Sequence, residues 1–147
     1  MPAAEVDWLR RISADLRIPV MADESLRTPS DALRLASSGA AGVFSVKTTK
    51  SGGLRRSAEI TAIGAAAGVP CHAGTSIEGP VGTAATLHLA CAAPGMTWGS
   101  ELFGPLLMTE QLAVQPLRYA DGHLHLPDGP GLGVDLDPAV VERLTRR

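Results

Sequence analysis

The feature that most constrains the fold of this chain is a set of four apolar runs, each of which leads into charged residues. The runs recur at a near-constant interval: IPVM (18–21) leads to Asp23 and Glu24, GVFSV (42–46) to Lys47, VPCHAG (69–74) to Glu78, and MTWGS (96–100) to Glu101. Helical patterns lie between the runs, which is typical of repeated β-strand–helix units. In parallel α/β folds, polar chemistry gathers at the carboxyl ends of the strands. We therefore expect Asp23, Lys47, Glu78 and Glu101 to open onto one face.

Local signals predict the elements between these residues. In order, they predict a helix over 4–17, a strand that ends near Ala22, a helix opened by Thr28-Pro29-Ser30-Asp31 and ended by Gly39, a strand over 42–47, the loop KTTKSGG, a helix over 54–67, a strand over 69–74, a helix over 81–92 and a fourth strand over 97–100. After about residue 105 the pattern changes: Asp121-Gly122 predicts a hairpin turn, and Asp137-Pro138 opens a short terminal helix. The fold class is therefore α/β, with four strand–helix units and a tail.

Two architectures fit four parallel strand–helix units. One is a small open sheet covered by helices, and the other is half of an eight-stranded (β/α)₈ barrel, a fold that typically needs about 250 residues. At 147 residues the chain is one ordinary domain with enough length to bury a core. The rules that govern strand connections do not decide between the two architectures.

Composition excludes several classes of function. A formal net charge of −2 and 3% aromatic residues argue against a nucleic-acid partner. No run approaches the roughly 20 apolar residues of a membrane span, and the opening MPAAEVDWLRR lacks the apolar stretch of a signal peptide. Cys71 and Cys91 both lie in apolar segments and are expected to be buried free thiols, which predicts a cytoplasmic protein. His72, in an apolar run, is expected to be a core histidine.

The strand-end residues suggest metal-assisted chemistry. Asp23 and Glu24 offer the oxygen ligands that Mg²⁺ or Mn²⁺ prefers, although a loop ion-pair cluster would give the same pattern. A cation near Lys47 would disfavour its ammonium form, which is one way in which a lysine becomes a base near neutral pH; a solvated strand-end lysine is the alternative. Glu78 and Glu101 fit a hydrogen-bonding or acid role.

Four ordered motifs carry a family resemblance. IPVMADESL, GVFSVKTTKSGG, HAGTSIEGPVG and WGSELFGPLL together resemble the carboxyl-terminal half of the enolase superfamily, and most of all the muconate and chloromuconate cycloisomerase group. The resemblance implies a partial (β/α)₈ barrel over residues 1–105. It also implies a tail over 106–147 that in the family packs near an amino-terminal capping domain.

The resemblance also implies roles for individual residues. Asp23 matches a carboxylate ligand of an essential Mg²⁺ or Mn²⁺, Lys47 matches a catalytic lysine that lines the substrate, and Glu78 matches the catalytic-site glutamate of the GTxxEG motif. Further contacts to the substrate, or to the residues that hold it, are expected from Glu24, Lys50, Ser76 and Glu101. The implied reaction stabilises an enolate next to a carboxylate and interconverts cis,cis-muconate and muconolactone, so the expected ligand is a small-molecule carboxylate.

Departures from the family pattern leave the substrate and the completeness of the site open. The chain reads KSGG and GTSIEG where relatives often read KNGG and GTMLEG, so a racemase, epimerase or dehydratase of the superfamily stays possible. The capping domain, a KxK lysine pair and two further metal carboxylates of the family have no counterpart in this sequence. We therefore expect half of an enzyme that needs a missing amino-terminal half or forms a homo-oligomer. An inactive fragment and an independent α/β binding domain are the alternatives.

One structural consequence is expected of half a barrel. Its sheet would have two open edges, and the inner faces of Val20, Phe44, Val46 and Cys71 would lose the strands that normally cover them. Exposed apolar surface of this kind favours association.

Overall fold

A computed structural model describes residues 5–145 of the chain. Its elements are α1 (Val6–Asp15), β1 (Met21–Ala22), α2 (Pro29–Ser38), β2 (Val43–Val46), α3 (Thr48–Ser51), α4 (Leu54–Ala67), β3 (Cys71–Ala73), α5 (Pro80–Ala92), a 3-10 turn (Gly104–Leu107), β4 (Tyr119–Ala120), β5 (His123–Leu124) and α6 (Pro138–Leu144). Residue 4, where the first predicted helix begins, lies outside the described residues. So do residues 1–3 of the predicted barrel segment and residues 146–147 of the predicted tail.

The central sheet is parallel, in the order β1-β2-β3, as repeated strand–helix units require. Met21 pairs with Val43 and Phe44 with Cys71, so the carboxyl ends of the three strands lie at one edge.

The predicted fourth strand over 97–100 is wrong as a strand, because Ser100 makes a single parallel bridge to Ala73. The segment still follows β3, since Ala73 donates its amide to Gly99 and the amide of Glu101 donates back to Ala73. Gly99, with φ +70°, interrupts the extended backbone that a strand needs.

Helix boundaries follow local signals closely. Thr28 and Asp31 form a reciprocal capping box at the start of α2, and Gly39 ends that helix in the left-handed conformation. The helix predicted over 54–67 is confirmed as α4, which ends at Gly68. The predicted hairpin turn and terminal helix are also confirmed: Asp121 and Gly122, both with positive φ, turn the β4–β5 hairpin, and Asp137 caps α6.

The predicted loop KTTKSGG instead contains the short helix α3. The amide of Ser51 donates to the Lys47 carbonyl at 3.0 Å, and Thr48 and Ser51 are buried. Burial of these two residues anchors one turn of helix directly after β2. Lys47 and Lys50 therefore lie one helical turn apart.

The core lies between the sheet and helices α2 and α4. Phe44, Val46 and Cys71 are fully buried there together with Leu35 and Ile60, so the expectation that their faces would be uncovered is wrong. Val20, also named in that expectation, is half-buried. They face the helices, and the alternate residues of β2, Val43 and Ser45, are buried on the opposite face.

One further expectation about burial fails. Cys91, near the end of α5, is exposed, whereas Cys71 is buried as expected; both thiols are free. In α1, Val6 and Leu9 pack against the core, whereas Ile12 and the residue that ends the helix, Leu16, are 42% and 47% exposed. Within the described residues, no helix has the length and apolar character to cross a membrane.

The tail packs on the strand–helix part through polar contacts. The Tyr119 hydroxyl donates to the Leu102 carbonyl at 2.7 Å, and His88 Nε2 lies 3.2 Å from the Leu132 carbonyl. The division of the chain at residue 105 stays a prediction.

Candidate active site

The carboxyl ends of β1 and β2 bring three predicted site residues together. Asp23 follows β1 and Lys47 follows β2, and the parallel register places these strand ends side by side. Lys47 Nζ donates to Asp23 Oδ2 at 2.7 Å, and Lys50 Nζ donates to Asp23 Oδ1 at 2.8 Å. Asp23, Lys47 and Lys50 are called the lysine–aspartate cluster below.

Burial and charge act against each other in this cluster. Burial would raise the pKa of Asp23, but hydrogen bonds and the charges of Lys47 and Lys50 outweigh it and lower that pKa. Burial lowers the pKa of Lys50, although Asp23 works in the opposite direction. The cluster itself carries two positive charges and one negative charge, and the charge of nearby Glu24 also acts on Lys50. Glu24, beside Asp23, is exposed.

Gly74 makes room for Lys47 at the end of β3. A Cβ at this position would lie 2.9 Å from Lys47 Cε and 2.5 Å from Ser45 Oγ, both closer than real contacts allow. The lysine stem therefore packs directly over the glycine. Sequence reasoning missed Gly74, although its place at the end of an apolar run, as the first residue of GTSIEG, was the available signal.

Glu78 organises its own loop. Its Oε2 accepts hydrogen bonds from the Thr75 hydroxyl, at 3.0 Å, and from the Ser76 amide, while its Oε1 is buried without a partner among the described residues. The loop holds Ile77 at φ +61°, a conformation that β-branched residues rarely adopt. The Ser76 hydroxyl accepts from Thr49 of α3 at 3.0 Å, so Ser76 lies beside the short helix that carries Lys50.

Glu101 lies next to His72, which sequence reasoning had assigned to the core. His72 Nδ1 lies 3.0 Å from the Trp98 carbonyl, which can only accept, so Nδ1 carries the proton. Nε2 faces Glu101 Oε1 at 3.8 Å, longer than a direct hydrogen bond. The alternation of β3 was the signal that could have found His72, because it lies between buried Cys71 and Ala73 and so faces away from the helices.

The predicted site residues follow parallel strand ends or the parallel Ser100 bridge, but only some of them are in direct contact. Asp23, Lys47 and Lys50 are in direct contact, and Ser76 adjoins them through α3. Glu78 and Glu101 follow β3 and the Ser100 bridge, with local partners of their own.

Comparison with known proteins decides the family. A family model described as "Enolase C-terminal domain-like" matches residues 1–140. Muconate cycloisomerase 1 of Rhodococcus opacus is 54% identical over 145 residues, which cover 99% of this chain and 39% of that protein. Muconate cycloisomerase 1 of Pseudomonas putida is 45% identical over 129 residues, 88% of this chain and 34% of that protein. The chain belongs to the enolase superfamily.

Solved structures agree with this placement in the superfamily. Muconate lactonizing enzyme from Pseudomonas putida matches with a TM-score of 0.94 at 40% identity, covering 99% of this chain and 41% of that one. A 2-chloromuconate cycloisomerase from Rhodococcus opacus 1CP matches with a TM-score of 0.95 at 39% identity, covering 100% and 40%. The predicted partial barrel and the muconate lactonizing group are confirmed. The chain spans about two fifths of the length of these relatives.

The described residues do not by themselves fit the divalent cation that the superfamily implies. Between residues 5 and 145 there is no group of three or more histidine, cysteine, aspartate or glutamate side chains that could hold a metal ion. Both carboxylate oxygens of Asp23 are already bonded to lysine ammonium groups. A cation at Asp23 would therefore need further carboxylates and would face two positive charges.

Proposed function

We propose that this chain is the carboxyl-terminal half of the barrel of a cycloisomerase that lactonizes muconate-type dicarboxylates. The observation that carries the proposal is the partly buried hydrogen bond between Lys47 and Asp23 at two adjacent strand ends, in a chain 54% identical to a muconate cycloisomerase. Mg²⁺ or Mn²⁺ would stabilise the enolate charge, and it would need carboxylates from another part of the barrel beside Asp23.

The proposed reaction rearranges bonds within one substrate molecule. A substrate carboxylate oxygen forms a C–O bond to an alkene carbon, and the displaced electron pair moves to the carbon next to the other carboxylate. A proton then adds to that carbon, so the product is an isomer of the substrate. The reverse reaction needs a base that removes the same proton.

Lys47 is the proposed proton carrier. Its side chain is 12% exposed, and among residues 5–145 Nζ makes one hydrogen bond, to Asp23. An ammonium has three donors, so two remain for the substrate. Asp23 fixes the direction of the amine, and the remaining N–H donors of Lys47 can bind a carboxylate of the substrate. The turn held by Glu78 forms one side of the same edge.

Supply of the remaining barrel by another polypeptide, or association of identical chains, is part of the proposal. We also propose a cytoplasmic location, which the two free cysteines support.

Complementation tests this function. The chain is co-expressed with the preceding part of the Rhodococcus opacus relative, and loss of cis,cis-muconate absorbance is followed with Mn²⁺. We expect negligible turnover by the chain alone, turnover by the assembled pair, and none with Lys47→Met. Arg55→Met, at an exposed site on α4, is the matched control and should retain activity. An assembled but inactive pair, or an active Lys47→Met pair, would contradict the proposal.

A further inference from the structure

Lys50 has an unusually complete set of partners for a lysine. Its Nζ donates to the Asp23 carbonyl at 2.6 Å, to Asp23 Oδ1 at 2.8 Å and to the Ser45 carbonyl at 3.1 Å. An ammonium has three N–H donors, so these three acceptors use all of them. The side chain is 9% exposed.

These contacts separate the roles of the two lysines. Lys50 has no donor left for a substrate carboxylate, which argues against the substrate contact expected from the sequence. Lys47 gives one bond to Asp23 and keeps two donors. Although Lys47 and Lys50 share one carboxylate, Lys47 alone is equipped to meet a substrate.

We propose that Lys50 is a positioning residue that fixes Asp23, and through Asp23 the amine of Lys47. Its ammonium donates to both the main-chain carbonyl and the carboxylate of Asp23. It also donates to the Ser45 carbonyl, and so links the end of β1 to β2. With Oδ1 held by Lys50, Oδ2 is directed at Lys47. The effect of Lys50 on catalysis rests on the proposed function. The hydrogen bonds by which Lys50 holds Asp23 do not, because they form within this chain.

The geometry requires lysine at this position. Three acceptors around one nitrogen suit a compact ammonium, whereas the guanidinium of arginine spreads its donors in a planar fork. Only two of the thirteen basic residues of the chain are lysines, and both lie in this cluster. Arginine at position 50 would keep the positive charge but could not make all three of these hydrogen bonds from one nitrogen.

The first experiment measures the hydrogen bonding of the Lys50 ammonium directly in the 147-residue chain. With ¹⁵N-labelled lysine, NMR should show two ammonium signals, of which that of Lys50 is the more rigid and the slower to exchange with water. Lys50→Met should make the Lys47 ammonium more mobile, whereas Lys47→Met should leave the Lys50 signal ordered. Far-UV circular dichroism checks that each variant folds. A Lys50 ammonium that exchanges as fast as a solvent-exposed lysine, or a Lys47 signal unchanged by Lys50→Met, would overturn the proposal.

The second experiment separates positioning from substrate binding in the complemented assembly. Lys50→Met should lower kcat about tenfold or more and leave KM nearly unchanged, because Lys50 acts through Asp23. Lys50→Arg should fail to rescue kcat. A raised KM with wild-type kcat would show that Lys50 binds substrate and would overturn the assignment. If the wild-type assembly is inactive, the proposed function fails, and the NMR measurement still decides the role of Lys50.

Discussion

Gly74 gives the clearest residue-scale test of the site, because the missing side chain is what lets Lys47 pack there. Gly74→Ala should push the lysine stem aside, cost about 1–3 kcal/mol of unfolding free energy, and strongly reduce turnover in the complemented assembly. Gly42→Ala is the matched control, since its Cβ would meet Pro19 at the other end of β2. Steady-state kinetics and urea unfolding measure both effects. Wild-type kinetics for Gly74→Ala would mean that Lys47 does not need this position.

The two cysteines give a second test at this scale. Burial raises the pKa of the Cys71 thiol to about 11, whereas Cys91 is exposed. The thiolate is the reactive form of a cysteine. A disulfide reagent at mildly alkaline pH should therefore react rapidly with Cys91, and with Cys71 only when the chain unfolds. Cys91→Ser should remove the rapid phase. Two rapid equivalents in the native chain would contradict the burial of Cys71.

The residues that sequence reasoning found and missed differ in a physical way. Asp23 and Lys47 could be predicted together, because parallel strands bring their carboxyl ends to one edge whatever the loops do. The role of Lys50 could not, because its direction depends on α3, whose single turn is held by tertiary burial of Thr48 and Ser51. The turn around Glu78 likewise depends on hydrogen bonds that spacing alone does not reveal.

At the scale of elements, the capping box of α2 makes stability depend on pH. Burial would raise the pKa of Asp31, but hydrogen bonds from the Thr28 hydroxyl and the amides of Arg27 and Thr28, with the charge of Arg34, lower it. The folded pKa is thus below the ordinary value of 3.8, so the contribution of Asp31 is present above that pH and is lost as the pH falls through the folded pKa.

We therefore expect Thr28→Ala to cost about 1 kcal/mol at neutral pH, and to cost less in acid, where Asp31 is protonated in both proteins. Thermal unfolding of the wild-type chain and of Thr28→Ala, from neutral to acid pH, measures this loss of stability at each pH. Ser30→Ala, at an exposed position in the first turn, is the control. A cost independent of pH would show that the carboxylate of Asp31 takes no part in the cap.

Helices were more predictable than strands, because helix ends depend on residues that are neighbours in the sequence. Thr28, Gly39 and Gly68 set helix ends through neighbouring residues, so their signals are complete in the sequence. A strand exists only through a partner elsewhere in the chain. The run over 97–100 has the apolar composition of a strand and follows β3, yet Gly99 leaves it with a single bridge.

At the scale of the whole molecule, the exposed apolar side chains include two groups near the two edges of the central sheet. Next to the β1 edge, Trp8 and Ile12 of α1 form an exposed stripe with Leu16, the residue that ends the helix, at i, i+4 and i+8; Trp8 is 53% exposed. Near the Ser100 edge, Trp98 and Phe103 are also exposed. A closed barrel would cover both edges with neighbouring units.

We therefore expect the isolated chain to associate through these edges. Sedimentation at micromolar concentration should show a weight-average mass that rises with concentration, and the paired substitution Trp8→Lys and Ile12→Lys should shift it towards the monomer. Leu33→Lys is the matched control, because Leu33 is 62% exposed on α2, outside the α1 stripe, and should leave association unchanged. The preceding part of the barrel should compete with self-association, since it would cover the same surfaces. A monodisperse monomer that unfolds cooperatively at these concentrations would mean that the open edges need no partner.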